Sequence, residues 1–389
     1  MSLRVALDAR PLSHPQAGGF HSYVRALVHG LAEVRAPDVE VLLYLDRPLG
    51  PKVAPVVPDW MEQRVLTPKR LRADWHLFAA QVKADKVDVV HGTMNYLPQR
   101  LPRFVARTVT IHDAMGIKPY AFATKARRNA RERAMYEYAK WLTRLSARQA
   151  RRIITVSQAA AADVGGAVGL PASRFAVVYN GVSLPPPPAS ALGPGKRDGR
   201  SVLAIASPDP RKNMDLLYRA FAEHGDRLRA ACGGTMPRLD VIGTNETATG
   251  RAEIALKRHG VRDYRLLSGL DDLALSEQFA ASAVFAFPSR MEGFGLPPVE
   301  AMQAGCAVAS SNAPCLPEVL GDVPLYFDPD RADQLADCLA ALLGDPAERD
   351  VRGARGQAHA AQYTCRRAAE ASLDVWRKAA PVSDGERRY

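Results

Sequence analysis

Cysteine is scarce in this 389-residue sequence: there are five, and no two of them form a C-x-x-C pair. An odd number at this spacing fits neither a disulfide framework nor a zinc ribbon, so we predict small buried thiols. No apolar run reaches the roughly 18 residues that cross a bilayer. Arg4 and Asp8 interrupt the apolar start of the chain, which argues against a secretory signal. We therefore expect the protein in the cytosol.

Motifs that carry metal or nucleotide chemistry are also missing. The sequence has no H-E-x-x-H, no P-loop, no G-x-G-x-x-G fingerprint and no G-x-S-x-G elbow. Asp328 and Asp330 have the D-x-D spacing of a divalent-metal site, but the proline between them favours a turn. We predict no metal and no other cofactor.

Positive charge is concentrated in the first half of the chain. The formal net charge is +11, and residues 1–183 hold 27 Lys and Arg against 14 Asp and Glu, whereas the remainder holds 25 against 27. This uneven distribution does not suit a uniformly basic nucleic-acid coat, so no nucleic acid is predicted as a partner. It indicates instead that the first half of the chain contacts an anionic partner.

The densest basic stretch runs from Lys118 to Arg152 and contains eleven basic residues. Four apolar residues within it recur at intervals of three and four, as on one face of a helix: Met135, Tyr138, Leu142 and Leu145. Two interpretations stay open. Either this face lies against the core and the basic residues are solvated, or the basic residues contact anionic lipid headgroups at a membrane surface.

Length and composition indicate two globular domains. The chain is 47% hydrophobic and 24% charged, as in ordinary folded proteins, and it is long enough for two or three domains of about 150 residues. Four consecutive prolines after Leu184 cannot join a β-ladder, and glycine and proline recur up to Gly195, so we predict a linker over 184–200. It separates a first domain, 1–183, from a second, 201–364, and from a C-terminal segment, 365–389.

Short apolar runs alternate with helical patterns on both sides of the linker. Strands are predicted over Leu3–Asp8, Val39–Leu45, Val87–His91, Thr108–Ile111, Arg152–Ser157, Phe175–Tyr179, Ser201–Ile205, Arg238–Ile242, Tyr264–Leu267, Ala283–Phe287 and Ala307–Ala309. Helices are predicted over Phe20–Val34, Met214–His224, Leu273–Ala281, Arg331–Leu343 and Arg366–Lys378. The alternation predicts two doubly wound α/β domains with parallel sheets and a cleft between them. Ligands of such sheets bind beyond the carboxyl ends of the strands.

The most informative segment follows the predicted strand that ends at Phe287. Gly293 and Gly295 lie in a loop where missing side chains let backbone amides approach a ligand. Prolines then suit the first turn of a helix, whose N-terminus is an anion site. Glu292 and Glu300 would lie at opposite edges of that anion, where carboxylates suit sugar hydroxyls. The alternative is two solvated glutamates near a helix start.

A second candidate site opens the C-terminal half. Arg211 and Lys212 stand between a strand and a helix that begins around Met214. Positively charged side chains at a helix N-terminus are electrostatically unfavourable unless a bound anion compensates them. A guanidinium fork beside an ammonium group suits a diphosphate. The alternative is an ordinary exposed Arg-Lys pair.

The amino half offers weaker signals. His112 follows a predicted strand, where a histidine is as often structural as functional, and Gly18 and Gly19 follow the first strand. Asn180-Gly181 is typical of a turn.

Taken in order, these segments resemble the retaining glycosyltransferases of family 4. The two glutamates with seven residues between them, inside E-G-F-G-L-P-x-x-E-A, are its most specific signature. The other matching parts are Gly18-Gly19, His112-Asp113, Ile154–Ser157, Asn180–Val182, Arg211–Asn213 and Pro317–Val319. The motifs are most similar to the branch of bacterial mannosyltransferases of polysaccharide assembly. The resemblance implies the GT-B fold, with two Rossmann-like domains facing across a cleft, an acceptor-side first domain, a donor-side second domain and a last helix that crosses back to the first.

The resemblance also implies residue roles. Glu300 would hold the nucleotide ribose, while Glu292 and the amides of Phe294, Gly295 and Leu296 would engage the transferred sugar and the diphosphate. Two cations, Arg211 and Lys212, would neutralise the leaving diphosphate in place of a metal ion. Two further groups would come from the first domain: His112 would contact the donor sugar, and the loop at Gly18 and Gly19 would close over the phosphates. Ser207 is also expected among the donor-binding residues. It is a departure, because many members have an arginine five residues before the lysine. The mannosyltransferase-like branch commonly has a small hydroxyl residue there, and Arg211 would take the place of the missing arginine.

The function that follows from the resemblance is transfer of a hexose, mannose-like by preference, from a nucleotide-diphosphate sugar to a saccharide or lipid-linked acceptor. We expect retention of configuration, no metal ion, and a cytoplasmic enzyme with a possible peripheral position at the inner face of the cell membrane through Lys118–Arg152. The alternatives are a nucleotide-sugar epimerase or phosphorylase of the same fold, and a non-catalytic basic scaffold at the membrane.

Overall fold

The computed structural model of the chain describes residues 2–13, 18–50, 57–66, 76–118, 130–191 and 197–381. They form two compact units. Unit 1 comprises Met1–Ser183 and Tyr363–Tyr389, and unit 2 comprises Leu184–Gln362. Each unit is built on its own sheet.

Unit 1 contains a seven-stranded sheet in which every strand pair is parallel. Its strands are β1 (Leu3–Asp8), β2 (Val39–Leu45), β3 (Gln63–Val65), β4 (Val89–Gly92), β5 (Ala106–Thr110), β6 (Arg152–Thr155) and β7 (Phe175–Val177). The order across the sheet is β3-β2-β1-β4-β5-β6-β7. All of these strands were predicted except β3, a short edge strand whose residues are mostly exposed and so give no apolar signal.

Helices flank this sheet: α1 (Arg10–Ser13), α2 (Gly19–Val34), α3 (Phe78–Ala84), α4 (Ala130–Gln149) and α5 (Gln158–Val168). Side chains of β1 alternate between two cores, since Val5 and Leu7 pack with the buried face of α2 while Ala6 packs with Phe78 of α3. Coverage on both faces explains why these strands are almost wholly apolar.

Unit 2 contains a six-stranded parallel sheet in the order β10-β9-β8-β11-β12-β13. Its strands are β8 (Asp198–Ala206), β9 (Arg238–Gly243), β10 (Tyr264–Leu267), β11 (Ser282–Phe287), β12 (Ala307–Ser311) and β13 (Leu325–Phe327). The short β13 was not predicted. Strand β8 begins three residues before the predicted start at Ser201, inside the segment that we assigned to the linker.

The helices of unit 2 are α6 (Met214–Glu223), α7 (Gly225–Ala231), α8 (Glu246–Arg258), α9 (Asp272–Ala281), α10 (Leu296–Gln303), α11 (Cys315–Leu320), α12 (Ala332–Gly344) and α13 (Pro346–Ala360). The predicted bounds of α6, α9 and α12 agree with the structure within one residue at each end, and the start of α9 has a side-chain cap. Asp271 accepts a hydrogen bond from the main-chain N–H of Ala274 at the start of α9.

The last helix, α14 (Cys365–Ala379), belongs to unit 1. Its buried face includes Leu373 and Trp376, which join the core formed by β1 and α2. Two glycines of unit 1 make room for its first turn. A Cβ at Gly30 would overlap the carbonyl group of Cys365, and one at Gly181 would lie 2.6 Å from Cys365 Cα. The predicted turn at Asn180-Gly181 is wrong, because the chain makes no turn there, and Gly181 is needed instead for close packing against Cys365.

Helix α4 carries the described part of the predicted basic stretch; residues 119–129 lie outside the described residues. Leu142 is buried and Tyr138 and Leu145 are half-buried, but Met135 is 52% exposed. The core-facing interpretation thus holds in the second half of the helix and is wrong for Met135, since no described residue covers the first turns.

All five cysteines are free, and three of them are buried, as predicted: Cys306, Cys315 and Cys365. The other two, Cys232 and Cys338, are half-buried. Burial raises the pKa of the Cys306 thiol to about 12, so this thiol stays protonated and inert at neutral pH.

Among the described residues, no helix is both long enough and apolar enough to span a membrane.

Candidate active site

The order of strands in each sheet reverses at one pair, and ligands of such sheets bind beyond the carboxyl ends of the strands at that point. In unit 2 the pair is β8 and β11, and in unit 1 it is β1 and β4. The candidate residues follow these strands or a direct neighbour. Arg211 and Lys212 follow β8, Glu292 follows β11, and His112 follows β5.

The loop after β8 is held in place by its own hydrogen bonds. The side chain of Ser207 accepts a bond from the main-chain N–H of Asp209 at 3.2 Å. Asp209 in turn caps the single 3-10 turn Pro210–Lys212 by accepting from the Arg211 main-chain N–H at 3.0 Å. The same carboxylate accepts from Arg211 Nε at 2.8 Å. Ser207 therefore shapes the loop.

Lys212 and Glu292, which are 80 residues apart in the chain, form the central contact of unit 2. Lys212 Nζ donates to Glu292 Oε1 at 2.6 Å, and Arg211 Nη1 lies 3.9 Å from the other carboxylate oxygen. The ammonium group also lies 5.1 Å from the centre of the Phe287 ring. The structure thus brings together Lys212, Arg211 and Glu292, three of the four side chains predicted to contact the transferred sugar or the diphosphate; the fourth is His112.

Glu292 is ionised despite its burial. Its side chain is only 8% exposed, and burial alone would raise its pKa. The charges of Lys212 and Arg211, with the hydrogen bond from Lys212, outweigh burial and hold the pKa of Glu292 below its ordinary value. The site therefore carries two cations facing the carboxylates of Glu292 and Asp209.

The glycine loop before α10 needs glycine at one position for two reasons. Gly295 has φ 90°, and a Cβ there would lie 2.6 Å from Leu316 Cδ2. Helix α10 begins at the next residue, Leu296, with proline in its first turn, as predicted. Gly293 and Phe294 are buried beside it, and Glu300 is half-buried within α10.

The turn interpretation of Asp328-Pro-Asp330 is confirmed. The main-chain N–H of Asp330 donates to Asp328 Oδ1 at 2.8 Å, and that of Arg331 donates to Asp328 O at 3.0 Å. The Asp330 carboxylate forms an ion pair with Arg290. Across the described ranges, no group of three or more His, Cys, Asp or Glu side chains is arranged so that it could hold a metal ion.

His112 of unit 1 is fixed by the loop that follows β4. Its Nε2 lies 2.9 Å from the carbonyl oxygen of Thr93, and its main-chain N–H donates to Asn95 Oδ1 at 2.8 Å. Because a carbonyl only accepts, Nε2 carries the proton. The rings of Phe20 and Tyr23 meet the imidazole at centroid distances of 5.1 and 4.6 Å.

Burial lowers the pKa of His112, although the Thr93 carbonyl and Asp113 oppose the shift. The ring is therefore neutral at neutral pH, and Nδ1 is a hydrogen-bond acceptor. A neutral acceptor beside aromatic rings suits a hydroxyl group better than a phosphate.

A buried network behind His112 was missed by sequence reasoning. The hydroxyl groups of Tyr23 and Thr110 lie 2.8 Å apart, and Thr110 Oγ1 lies 3.1 Å from His91 Nε2. Burial lowers the pKa of His91 to about 3, so its ring is neutral as well. Each of these residues sits in a plain apolar strand or helix pattern, and nothing local marks them as partners.

The predicted glycine loop has no conformational need for its glycines. Gly18 is extended, with φ −169°, and α2 begins at Gly19. No described atom lies within 4 Å of a Cβ built at either position. Packing within the described residues therefore does not explain why both positions are glycine.

Two protein-family models together match most of the chain. The model of the Glycosyltransferase Family 4 matches residues 17–184, and that of the Glycosyl transferases group 1 matches residues 194–359. The chain is 30% identical to O-antigen chain mannosyltransferase B of Escherichia coli over 287 residues, which are 71% of this chain and 70% of that protein. It is 31% identical to the MMP alpha-(1->4)-mannosyltransferase of Mycolicibacterium hassiacum over 242 residues, 60% of this chain and 55% of that protein.

Solved structures share the fold over almost the full length. Sucrose-phosphate synthase from Thermosynechococcus elongatus has a TM-score of 0.72 at 20% identity, covering 97% of this chain and 98% of that one. Anabaena Alr3699/HepE in complex with UDP-glucose has a TM-score of 0.71 at 17% identity, covering 97% and 100%. At these identities the likeness shows the fold alone, and it confirms the predicted pair of Rossmann-like GT-B domains.

Proposed function

The chain belongs to glycosyltransferase family 4, and we propose that it moves a hexose from a nucleotide-diphosphate sugar to a saccharide or lipid-linked acceptor with retention of configuration. Mannose is the favoured sugar, because the relatives with 30 and 31% identity are named mannosyltransferases. That the protein is a glycosyltransferase of the mannosyltransferase-like branch is confirmed. The relatives give no support to an epimerase or a scaffold.

The observation that carries the proposal is the contact of Lys212 with Glu292 at the point where the strand order of unit 2 reverses. An ammonium group next to a carboxylate offers one binding group for each part of a sugar diphosphate. The carboxylate suits sugar hydroxyls, and the ammonium group suits the phosphates. Lysine has three N–H donors, and the bond to Glu292 uses one of them.

We propose that Arg211, Lys212 and the N-terminus of α10 stabilise the departing diphosphate. Breaking the anomeric C–O bond builds positive charge on the sugar ring and negative charge on the phosphate, and fixed cations favour that separation. Glu300 would hold the nucleotide ribose. In the family mechanism, the departing phosphate accepts the proton of the attacking acceptor hydroxyl on the same face, which retains configuration. No metal ion is required in this proposal, because the cations take its electrostatic role.

His112 is proposed to accept a hydrogen bond from a hydroxyl of the transferred sugar. The neutral ring with its proton on Nε2 supports this role, because Nδ1 then offers a lone pair. No described atom would contact a Cβ at Gly18 or Gly19, which supports close approach of a phosphate to the main chain there.

The direct test is to incubate the protein with GDP-, UDP- and ADP-hexoses and to follow nucleoside-diphosphate release with and without a chelator. We expect release to be fastest with a mannose donor and to be unchanged by the chelator. Loss of release on chelation would contradict the metal-free proposal, and the absence of release from every donor would contradict the proposed function.

We further propose that the first turns of α4 contact anionic lipid. Met135 near the start of α4 and Trp141 further along it are 52% and 47% exposed. Three arginines of the same helix are also exposed: Arg131, Arg133 and Arg148. Exposed apolar groups among positive charges match a surface of anionic headgroups, near which each Lys or Arg contributes ~1 kcal/mol.

Sedimentation with phosphatidylglycerol vesicles tests this contact. Binding should fall steeply as salt rises, and the double variant Arg131→Glu/Arg133→Glu should bind up to about 30-fold more weakly. The control is Arg251→Glu, an equally exposed arginine on α8 of unit 2. Binding that is independent of salt, or that falls equally in the control, would contradict a role for α4.

A further inference from the structure

Asn213 stands between the two cations and α6 in an unusual conformation. Its φ is 52°, in the left-handed region that asparagine tolerates better than most residues. Its residue surface is only 8% exposed. Its side-chain nitrogen donates to Pro288 O at 3.0 Å and to Pro329 O at 2.7 Å. Since both partners are carbonyl oxygens, which only accept, the two bonds use both hydrogens of the amide.

The two acceptors belong to loops that come from different strands. Pro288 follows β11 directly and precedes Glu292 in the same loop, whereas Pro329 follows β13. Strand β13 is three positions away from β8 in the sheet. Asn213 therefore joins the carboxyl ends of β8, β11 and β13.

Arg290 supports the same junction. Its main-chain N–H donates to Arg211 O at 2.8 Å, and its guanidinium pairs with Asp330 in the loop after β13. The loop that carries the cations is thus tied to the loop that carries Glu292 by the main chain as well as by Asn213.

Asn213 does not use its side chain as a helix cap. Although it directly precedes α6, it makes no side-chain capping bond. Asn245 precedes α8 and shows the usual arrangement, in which Oδ1 accepts from the main-chain N–H of Ala248 at 2.8 Å. The side-chain amide of Asn213 instead donates its hydrogen bonds to two loops that are distant in the sequence.

We propose that Asn213 is a positioning residue that holds Lys212 against Glu292 and so sets where the lysine meets the leaving diphosphate. Its kinetic consequence rests on the proposed function. A long lysine side chain places its charge reproducibly only if its main chain and its carboxylate partner are fixed relative to each other. A displacement of about 1 Å in a positioned catalytic group can cost roughly 100-fold in rate.

Two variants separate this role from simple folding. Asn213→Gly keeps the left-handed conformation and removes both donors, and Asn213→Asp keeps the shape but points a carboxylate at two carbonyl oxygens. Asn245→Asp is the matched control, because an aspartate retains the acceptor that caps α8. We expect kcat for nucleoside-diphosphate release to fall about 10-fold in Asn213→Gly and roughly 100-fold in Asn213→Asp, with KM for the donor changed less than about 3-fold.

A readout independent of activity is the pKa of Glu292, followed by NMR of its labelled carboxyl carbon. If Asn213 holds Lys212 in place, Asn213→Gly should raise that pKa. A displaced lysine charge would oppose less of the rise in pKa that burial causes. The wild type and Asn245→Asp should keep the lowered value. A purely structural residue would lower the melting temperature and leave this pKa unchanged.

The outcomes are distinct. Wild-type kcat and an unchanged Glu292 pKa in a folded Asn213→Gly protein would overturn the positioning role. A protein that releases no nucleoside diphosphate from any donor would overturn the proposed function, and the NMR titration would still decide whether Asn213 positions Lys212.

Discussion

Replacing Lys212 by alanine is expected to lower kcat for nucleoside-diphosphate release by about 10²- to 10³-fold. The ammonium group is bonded to Glu292 at 2.6 Å inside a mostly buried site, where electrostatic interactions are stronger than in water. Its largest contribution comes when negative charge builds on the departing phosphate. KM for the donor should change much less than kcat, because the negative charge on the phosphate is larger in the transition state than in the bound donor.

The same variant should change how stability depends on pH. In the wild type the pKa of Glu292 is lowered, so the ionised carboxylate stabilises the fold above its ordinary pKa, and this contribution is lost as pH falls through the lowered value. Without Lys212, less positive charge opposes the effect of burial on Glu292, so the pKa of this carboxylate rises. Lys212→Ala should therefore melt below the wild type at neutral pH, and the difference should shrink in acid.

Lys257→Ala is the control for Lys212→Ala. Lys257 is also paired with a glutamate, Glu253, at 2.7 Å, but its side chain is 65% exposed on α8. Its removal should leave both kcat and the pH dependence of melting unchanged. Wild-type turnover in folded Lys212→Ala would remove the diphosphate role from this residue.

Replacing Gly30 by alanine is expected to destabilise unit 1 by about 3 kcal/mol or more. A Cβ at this position would overlap the carbonyl group of Cys365 and would lie 2.9 Å from Ala369 Cβ. The obstacle is main chain, which cannot rotate away as a flexible side chain can. Helix α14 would have to move off α2, and Trp376 would lose part of its buried packing.

Gly166→Ala is the matched control, because Gly166 also lies inside a helix, α5, but a Cβ there would meet no described atom within 4 Å apart from its own helix backbone. There alanine should stabilise by roughly 0.5–1 kcal/mol through helix propensity. Thermal melting compares the two variants, and hydrogen exchange in α2 and α14 locates the damage. Equal melting temperatures for Gly30→Ala and the wild type would contradict the close packing of α14 on α2.

Local signals predicted most regular elements. Strands such as β1 and β11 are continuous apolar runs because both faces of a parallel sheet are covered. Helix α9 is another example, because its predicted start at Leu273 lies one residue from the observed start at Asp272. The strands that were missed, β3 and β13, have three residues each and too little buried surface to leave a pattern.

The glycines show what local sequence signals can predict and what they cannot. In the loop before α10, Gly295 has a positive φ, which is a local property of that residue. By contrast, Asn180-Gly181 has the composition of a turn, yet Gly181 is required by Cys365, which is remote in sequence. Composition cannot distinguish a glycine needed for its own conformation from one needed by a distant neighbour.

By itself, the amino-acid sequence determined the class of fold, most of the strands, several of the helices, and the family motifs that contain Glu292 and Lys212. These depend on periodicity, caps and residues close together in the chain. Only the tertiary structure decided that Lys212 meets Glu292 across 80 residues, and that Asn213 reaches carbonyls 75 and 116 residues away. Such contacts arise where parallel strands end at one edge of a sheet, and the strand order that brings those ends together is set by packing of the whole unit.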